Sequence, residues 1–233
     1  MVNAVRGGMV RAALARGVAV ATVGFVIAGC GPAPGGSDGG AGSSGDGKTA
    51  SATLKDLKKL QVKGRAPMTG YDRDKFGPAW SDVDGNGCDT RNDILIRDLK
   101  EEVFKKGEDG CVVQSGVLED PYSGKTIKFE RGTRSSMAVQ IDHVIALADA
   151  WQKGAQQLSA SKRKELANDP LNLMAVDGPL NGQKGAGDAA TWLPPRRAYR
   201  CPYVERQIRV KIKYDLWVTS AEKDAMEGVL KSC

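Results

Sequence analysis

The only histidine among 233 residues is His143, and it directly follows Asp142 at the end of the alternating run "MAVQIDH". A lone imidazole cannot belong to a histidine-rich metal cage, so it works alone or with residues of another type. With an unperturbed pKa near ~6.5 it is largely neutral at neutral pH, which suits a general base. Downstream, Asn172 opens "NLMAV", and "NGQK" supplies Asn181 and Lys184. Hydrolysis of a phosphodiester needs a base to take a proton from water and a cation to stabilise charge on the leaving oxygen. Asp142 and Asn181 offer oxygen ligands, which favour Mg²⁺, with Mn²⁺ able to substitute. Zinc is disfavoured, because the chain has no second histidine and no CxxC spacing.

These residues need elements to position them. "ATLKDLKKLQV" carries Leu54, Leu57 and Leu60 at helical spacing, and "DILIRDLKEEVF" is expected to be a helix turning Ile94, Leu95, Leu99 and Val103 to a core. "CVVQSGVLEDPYSGKTIKFERG" reads as two strands around a turn with Pro121 and Gly124. "MAVQI" is a further strand. The stretch from Leu147 to Asn168 is mostly helical with an interruption near Gly154, and it stops at Pro170. "LNLMAV" is another strand, followed by a turn "DGP" and a short helix beginning near Asn181. A helix with Val204, Ile208, Ile212 and Leu216 along one face comes next. The last helix starts at "TSAE", where Thr219 and Glu222 have capping-box spacing. The expected fold class is α+β, one domain with C-terminal helices.

Residues 1–29 stand apart from this domain. Arg6, Arg11 and Arg16 precede an apolar run of about 13 residues, the pattern of a secretory signal and short of the ~20 that a spanning helix needs. The run ends in "IAGC", which resembles a bacterial lipobox with Cys30 as the lipidated residue. Residues 30–50 read as a Gly/Ser/Pro tether and 51–233 as the functional domain, held outside the cytoplasm by the N-terminal lipid or secreted. Without the leader the formal charge falls from +6 to +3, which permits contact with nucleic acid without arguing for it. Four cysteines remain, and an even number in an exported domain reads as two disulfides. Of three arrangements, Cys88 with Cys111 and Cys201 with Cys233 is favoured, because each pair closes a local loop.

Taken together, "GCDTRNDIL", "DPYSGK", "IDHVIALADAW", "ANDPLNLMAVDGPLNGQKG", "DAATWLPP" and "YRCPYVERQIRVKIKY" resemble the HNH, or ββα-metal, endonucleases. The nearest likeness is to exported bacterial proteins related to the C-terminal nuclease domain of GmrSD-type modification-dependent restriction enzymes. The resemblance spans about residues 54–233. It implies an embedded ββα-metal motif and an endonuclease, acting as a monomer on nucleic acid, DNA first. It assigns His143 as base, Asp142 and Asn181 as metal ligands and Asn172 as the residue that orients the imidazole. Lys184 and Arg91 are the candidates for holding phosphate oxygens, Arg91 through the likeness of "CDTRND" and the need for cations near the charge.

Other motifs weigh less. "GGSDG" around Ser37 has the form of a nucleophile elbow but lies in the tether, without the strand and helix that motif requires. In "DVDGNGCDTRND", Asp82, Asp84, Asn86 and Gly87 fall at positions 1, 3, 5 and 6 of a calcium loop, but Asp93 stands where the bidentate Glu belongs. Lys125, Lys128, Arg131 and Arg134 read as a solvated strand face that could also guide a polyanion. The alternative to a nuclease is a lipid-anchored binding or adhesion module, with Ca²⁺ held by Asp82, Asp84 and Asn86.

Overall fold

The computed structural model describes residues 46–132 and 135–233. The leader, Cys30, Ser37, Arg134 and most of the tether lie outside the described residues. Helix α1 spans Asp46–Lys59, so it begins inside the stretch read as tether. It does so because Ala50, Leu57 and, just past its end, Leu60 are buried, and packing against the C-terminal helices stabilises turns that composition alone would leave open.

Helix α2 (Thr90–Asp98) starts at Asp89, whose carboxylate accepts from the Asn92 N–H, and it turns Ile94 and Leu95 inward. The chain then becomes strand β1 (Leu99–Phe104), which corrects the single helix expected through Val103. Leu99 is buried but Val103 is 55% exposed. Pairing with β2 (Val113–Glu119) overrides the helical spacing, with an irregularity between Lys100 and Val103 and Glu101 at a φ of 55°. Strand β3 (Thr126–Glu130) completes an antiparallel sheet of order β1-β2-β3, joined by the turn that carries Tyr122. The Cys88–Cys111 disulfide ties the loop before α2 to the loop before β2.

Strands β4 (Val139–His143) and β5 (Leu173–Asp177) form a separate antiparallel pair, with Asp142 opposite Met174 and His143 opposite Leu173. Alternation splits the pair between two cores. Val139, Ile141, Leu173 and Ala175 pack with α2 and the three-stranded sheet, whereas Met174 and Val176 pack with Tyr122, Tyr203 and Ile208. Between the strands run α3 (Leu147–Gln152) and α4 (Ala160–Asn168), broken at Gly154, whose φ of 124° favours glycine.

Helix α5 (Gly178–Lys184) follows β5 directly. The expected "DGP" turn is instead its first turn: Asp177 caps the Leu180 N–H at 2.8 Å, and Pro179 fits the first turn of a helix. Asn181 therefore sits in mid-helix. Helix α6 (Arg200–Lys213) buries Tyr203, Val204, Gln207 and Ile208, while Ile212 is 40% exposed and Leu216 lies beyond its end. The expected four-residue stripe drifts off the buried face, as a strict i+4 repeat must on a 3.6-residue helix. Helix α7 (Ser220–Lys231) has the expected capping box, and Cys201–Cys233 joins the start of α6 to the chain just past α7. Beneath these helices Lys153 bonds Asp149, Asp188 and Glu222, each at 2.7 Å, while Lys211 bonds Glu222 at 3.0 Å. Arg65 adds contacts to Asp149 and Asp188, so each buried charge is matched by an opposite one.

Candidate active site at the β4–β5–α5 unit

His143 ends β4 with its ring almost wholly buried, and its Nε2 lies 2.8 Å from the Ala167 carbonyl oxygen at the end of α4. A carbonyl can only accept, so Nε2 carries the proton and Nδ1 is left as the acceptor. Burial, with further contributions from Arg73 and Lys184, pushes the imidazole down to about 4 and keeps it neutral through the physiological range. The indole of Trp80 lies nearly parallel to it at 6.3 Å between centroids.

Asp142, pointing to the opposite side of the strand, is held from two directions. Lys184 Nζ donates to its Oδ1 at 2.9 Å and the Tyr122 hydroxyl to its Oδ2 at 2.5 Å. Burial moves this carboxyl above the ordinary carboxylate range, and Lys184 and Tyr122 oppose the rise. Lys184 Nζ also donates to the His143 carbonyl at 2.8 Å and is itself buried. It is therefore engaged as an internal counter-ion, whereas the sequence named it as a candidate for holding phosphate oxygens.

Asn172 just precedes β5 and is fully buried. Its Oδ1 accepts from the Ile145 N–H at 2.8 Å and its Nδ2 donates to the Leu166 carbonyl at 3.2 Å. It fastens the chain after His143 to α4, and its side-chain hydrogen bonds go to Ile145 and Leu166, while the imidazole bonds the Ala167 carbonyl. Asn181 donates from Nδ2 to Gln140 at 2.9 Å, which leaves its Oδ1 as an acceptor.

Asp142, His143 and Asn181 line one cleft of about 290 Å³. The three residues named from the sequence are thus brought together. Lys184 and Arg91 are not in its wall. Arg91 packs over the Phe129 ring at 5.7 Å, and burial, with Arg131 nearby, holds its guanidinium below the usual value. The cleft has its own cation: Arg73 lines it, is exposed, and has no hydrogen bond or ion pair among the described residues. Arg73 lies on a short 3₁₀ turn, Arg73–Phe76, and nothing in the local letters "YDRDKF" marks it. Tyr122 was equally hidden, legible only as part of a turn.

One carboxylate and one amide oxygen on a shared wall fit a hard divalent cation that keeps most of its own waters. The Asp142 carboxylate, with about four acceptor positions, keeps one beyond the bonds from Lys184, Tyr122 and the His143 N–H. At "DVDGNG" the oxygens turn to their own backbone: Asp82 accepts from Gly85 and Gly87 at 2.7 and 3.0 Å, and Asn86 from Cys88 at 2.7 Å. Arg131 of the basic run bonds the Val113 carbonyl and Asn92, so it is a sheet fastener, whereas Lys125 and Lys128 are exposed. Among the described residues no group of three or more His, Cys, Asp or Glu is placed to hold a metal.

Residues 89–229, which hold the whole cleft strand pair and α5, match the family described as "GmrSD restriction endonucleases, C-terminal domain". The chain is also 38% identical over 179 residues to an uncharacterized secreted protein of Arthroderma benhamiae, covering 76% of this chain and 82% of the relative. That relative is fungal, so the likeness is not confined to the bacterial proteins named from the sequence. No solved structure matches the chain. The extent of the match and the identity together place this chain in the family of the GmrSD restriction endonuclease C-terminal domain.

Proposed function

We propose that the chain is a metal-dependent endonuclease that hydrolyses phosphodiester bonds in nucleic acid, DNA first, with β4, β5 and α5 as an HNH-type ββα-metal unit. The observation that carries this reading is the Nε2–Ala167 hydrogen bond of a histidine that lines the same cleft as Asp142 and Asn181, because it leaves Nδ1 of a neutral imidazole as a proton acceptor. Family membership supports nuclease chemistry in general.

In this reading His143 Nδ1 takes the proton from the attacking water, and Ala167 holds the tautomer that makes this possible. Asp142 and Asn181 would hold a Mg²⁺-class ion, for which Mn²⁺ can substitute, and which would supply positive charge for the leaving oxygen. Lys184 and Tyr122 fix the Asp142 carboxylate in place. Asn172 sets the course of the backbone after His143. Arg73 takes the role given above to Lys184 and Arg91, binding a phosphate oxygen from the open side of the cleft. Two disulfides and a secreted relative support a place outside the cytoplasm, and Cys30 is the proposed lipid anchor.

The test is incubation of the purified mature domain with plasmid, single-stranded DNA and RNA in Mg²⁺, Mn²⁺, Ca²⁺ or EDTA. Cleavage in Mg²⁺ and Mn²⁺ that EDTA abolishes is expected. Absence of cleavage on every substrate, from folded protein, would remove the reading.

A further inference from the structure

His143 forms a wall common to the cleft of about 290 Å³ and to a second, smaller recess, a slot of about 80 Å³. Phe76, Trp80, Leu147 and Asn168 line the slot with His143, and Arg73 lines both spaces. Trp80 packs partly against the core of α2 and the sheets, yet two features of the slot stand out. Trp80 has a φ of 58°, in the left-handed region that bulky side chains avoid, and such outliers gather at functional sites. Asn168 is 1% exposed and its Oδ1 has no hydrogen-bond partner. Its amide orientation is fixed, since Nδ2 donates at 2.9 Å to the Lys164 carbonyl, which can only accept, so the orphan is a true acceptor.

A flat apolar wall, a buried acceptor lacking a donor and an unpaired cation shared with the neighbouring cleft call for a planar ring with an edge N–H, joined to an anion. We infer that the slot is a base subsite. It holds one unpaired nucleobase of the strand being cut against Trp80, with an edge N–H donated to Asn168 Oδ1 and the attached phosphate at Arg73. This rests on the nuclease reading of the adjacent cleft and names its substrate form. Inside a duplex both faces of a base are covered by its stacked neighbours, so a base lying flat on Trp80 is single-stranded or turned out of its duplex.

Two readouts separate this inference from the reading beneath it. In EDTA, deoxycytidine monophosphate should bind about tenfold more tightly than deoxyribose 5-phosphate, within the range that stacking a base on an aromatic ring supplies. Trp80→Ala and Asn168→Leu should each abolish most of that difference, and Trp80→Phe should retain it. Asn168→Leu keeps the volume and removes the orphan acceptor, so it serves if Trp80→Ala fails to fold. In cleavage assays, a single-stranded oligonucleotide with one cleavable bond should lose about tenfold in kcat/KM, mostly through KM, when the base on one side of that bond is removed. Equal binding of the two phosphates, or base discrimination that survives in folded Trp80→Ala, overturns the slot. Base-dependent binding without cleavage of any substrate would leave the slot standing and defeat the nuclease reading.

Discussion

Replacing Lys184 by Met tests whether this residue is an internal counter-ion or a surface contact for phosphate. Its Nζ makes bonds of 2.9 Å to Asp142 and 2.8 Å to the His143 carbonyl, inside the protein. Met keeps the length of the chain and removes the charge, leaving a buried carboxylate with Tyr122 as its one remaining side-chain donor. Breaking a buried pair from one side costs about 3–5 kcal/mol. For a domain of this size that is a fall in melting temperature of roughly 10 °C. Without Lys184 the Asp142 carboxyl rises further, so the folded state binds the proton more readily than the unfolded one, and the deficit should shrink as pH falls. Lys184→Met with Asp142→Asn removes both charges and should recover most of the loss, a coupling of about 2 kcal/mol or more. Urea melts of the four proteins at pH 7 and pH 5 give each quantity. A loss below about 1 kcal/mol for Lys184→Met, unaffected by Asp142→Asn, would refute the reasoning, because exposed pairs are worth that little.

Three further outcomes are expected. The unfolded chain binds a proton at His143 near pH 6.5 and the folded chain only at about 4, so stability from this residue is present above 6.5 and lost as pH falls toward 4. That difference is worth about 3 kcal/mol, and in EDTA the stability of wild type relative to His143→Gln should fall by this much between pH 7 and pH 4; a constant difference counts against a buried neutral imidazole. Removing Cys201–Cys233 by a double Ser substitution should cost about 3–4 kcal/mol in urea melts, and a loss under 1 would mean that the C-terminal helices dock without it. Cys30→Ser should release the protein from the membrane fraction or block its processing, whereas unchanged partition would reject the lipid anchor.

The site's skeleton was legible because it is local. Alternation in "MAVQIDH" gives β4, the apolar run "LNLMAV" gives β5, and the polar residues worth naming lie at their ends. The partners of those residues were not legible. Ala167 acts through its backbone carbonyl, which no side-chain letter reveals. Tyr122 reaches Asp142 across 20 positions and Lys184 across 42, so their roles exist only once the sheet turn and α5 are packed together. Arg73 became visible as a cleft residue because its 3₁₀ turn is docked against α4 and α3. The misread elements have the same origin. Leu99 and Val103 have helical spacing, but β2 offers Leu99–Phe104 a pairing edge, and Asp177–Pro179 has turn letters that also begin a helix. The four cysteines paired as expected, because each short loop brings its own ends together.

The central claim is that His143 is the proton acceptor for phosphodiester hydrolysis. The most direct measurement is the single-turnover cleavage rate of His143→Ala against wild type in saturating Mg²⁺, with both proteins shown to be folded and free of host nuclease. A fall of about 10²-fold or more that excess Mg²⁺ or Mn²⁺ does not restore, with nucleic-acid binding retained, is the expected result. Cleavage by the folded variant at the wild-type rate would contradict it.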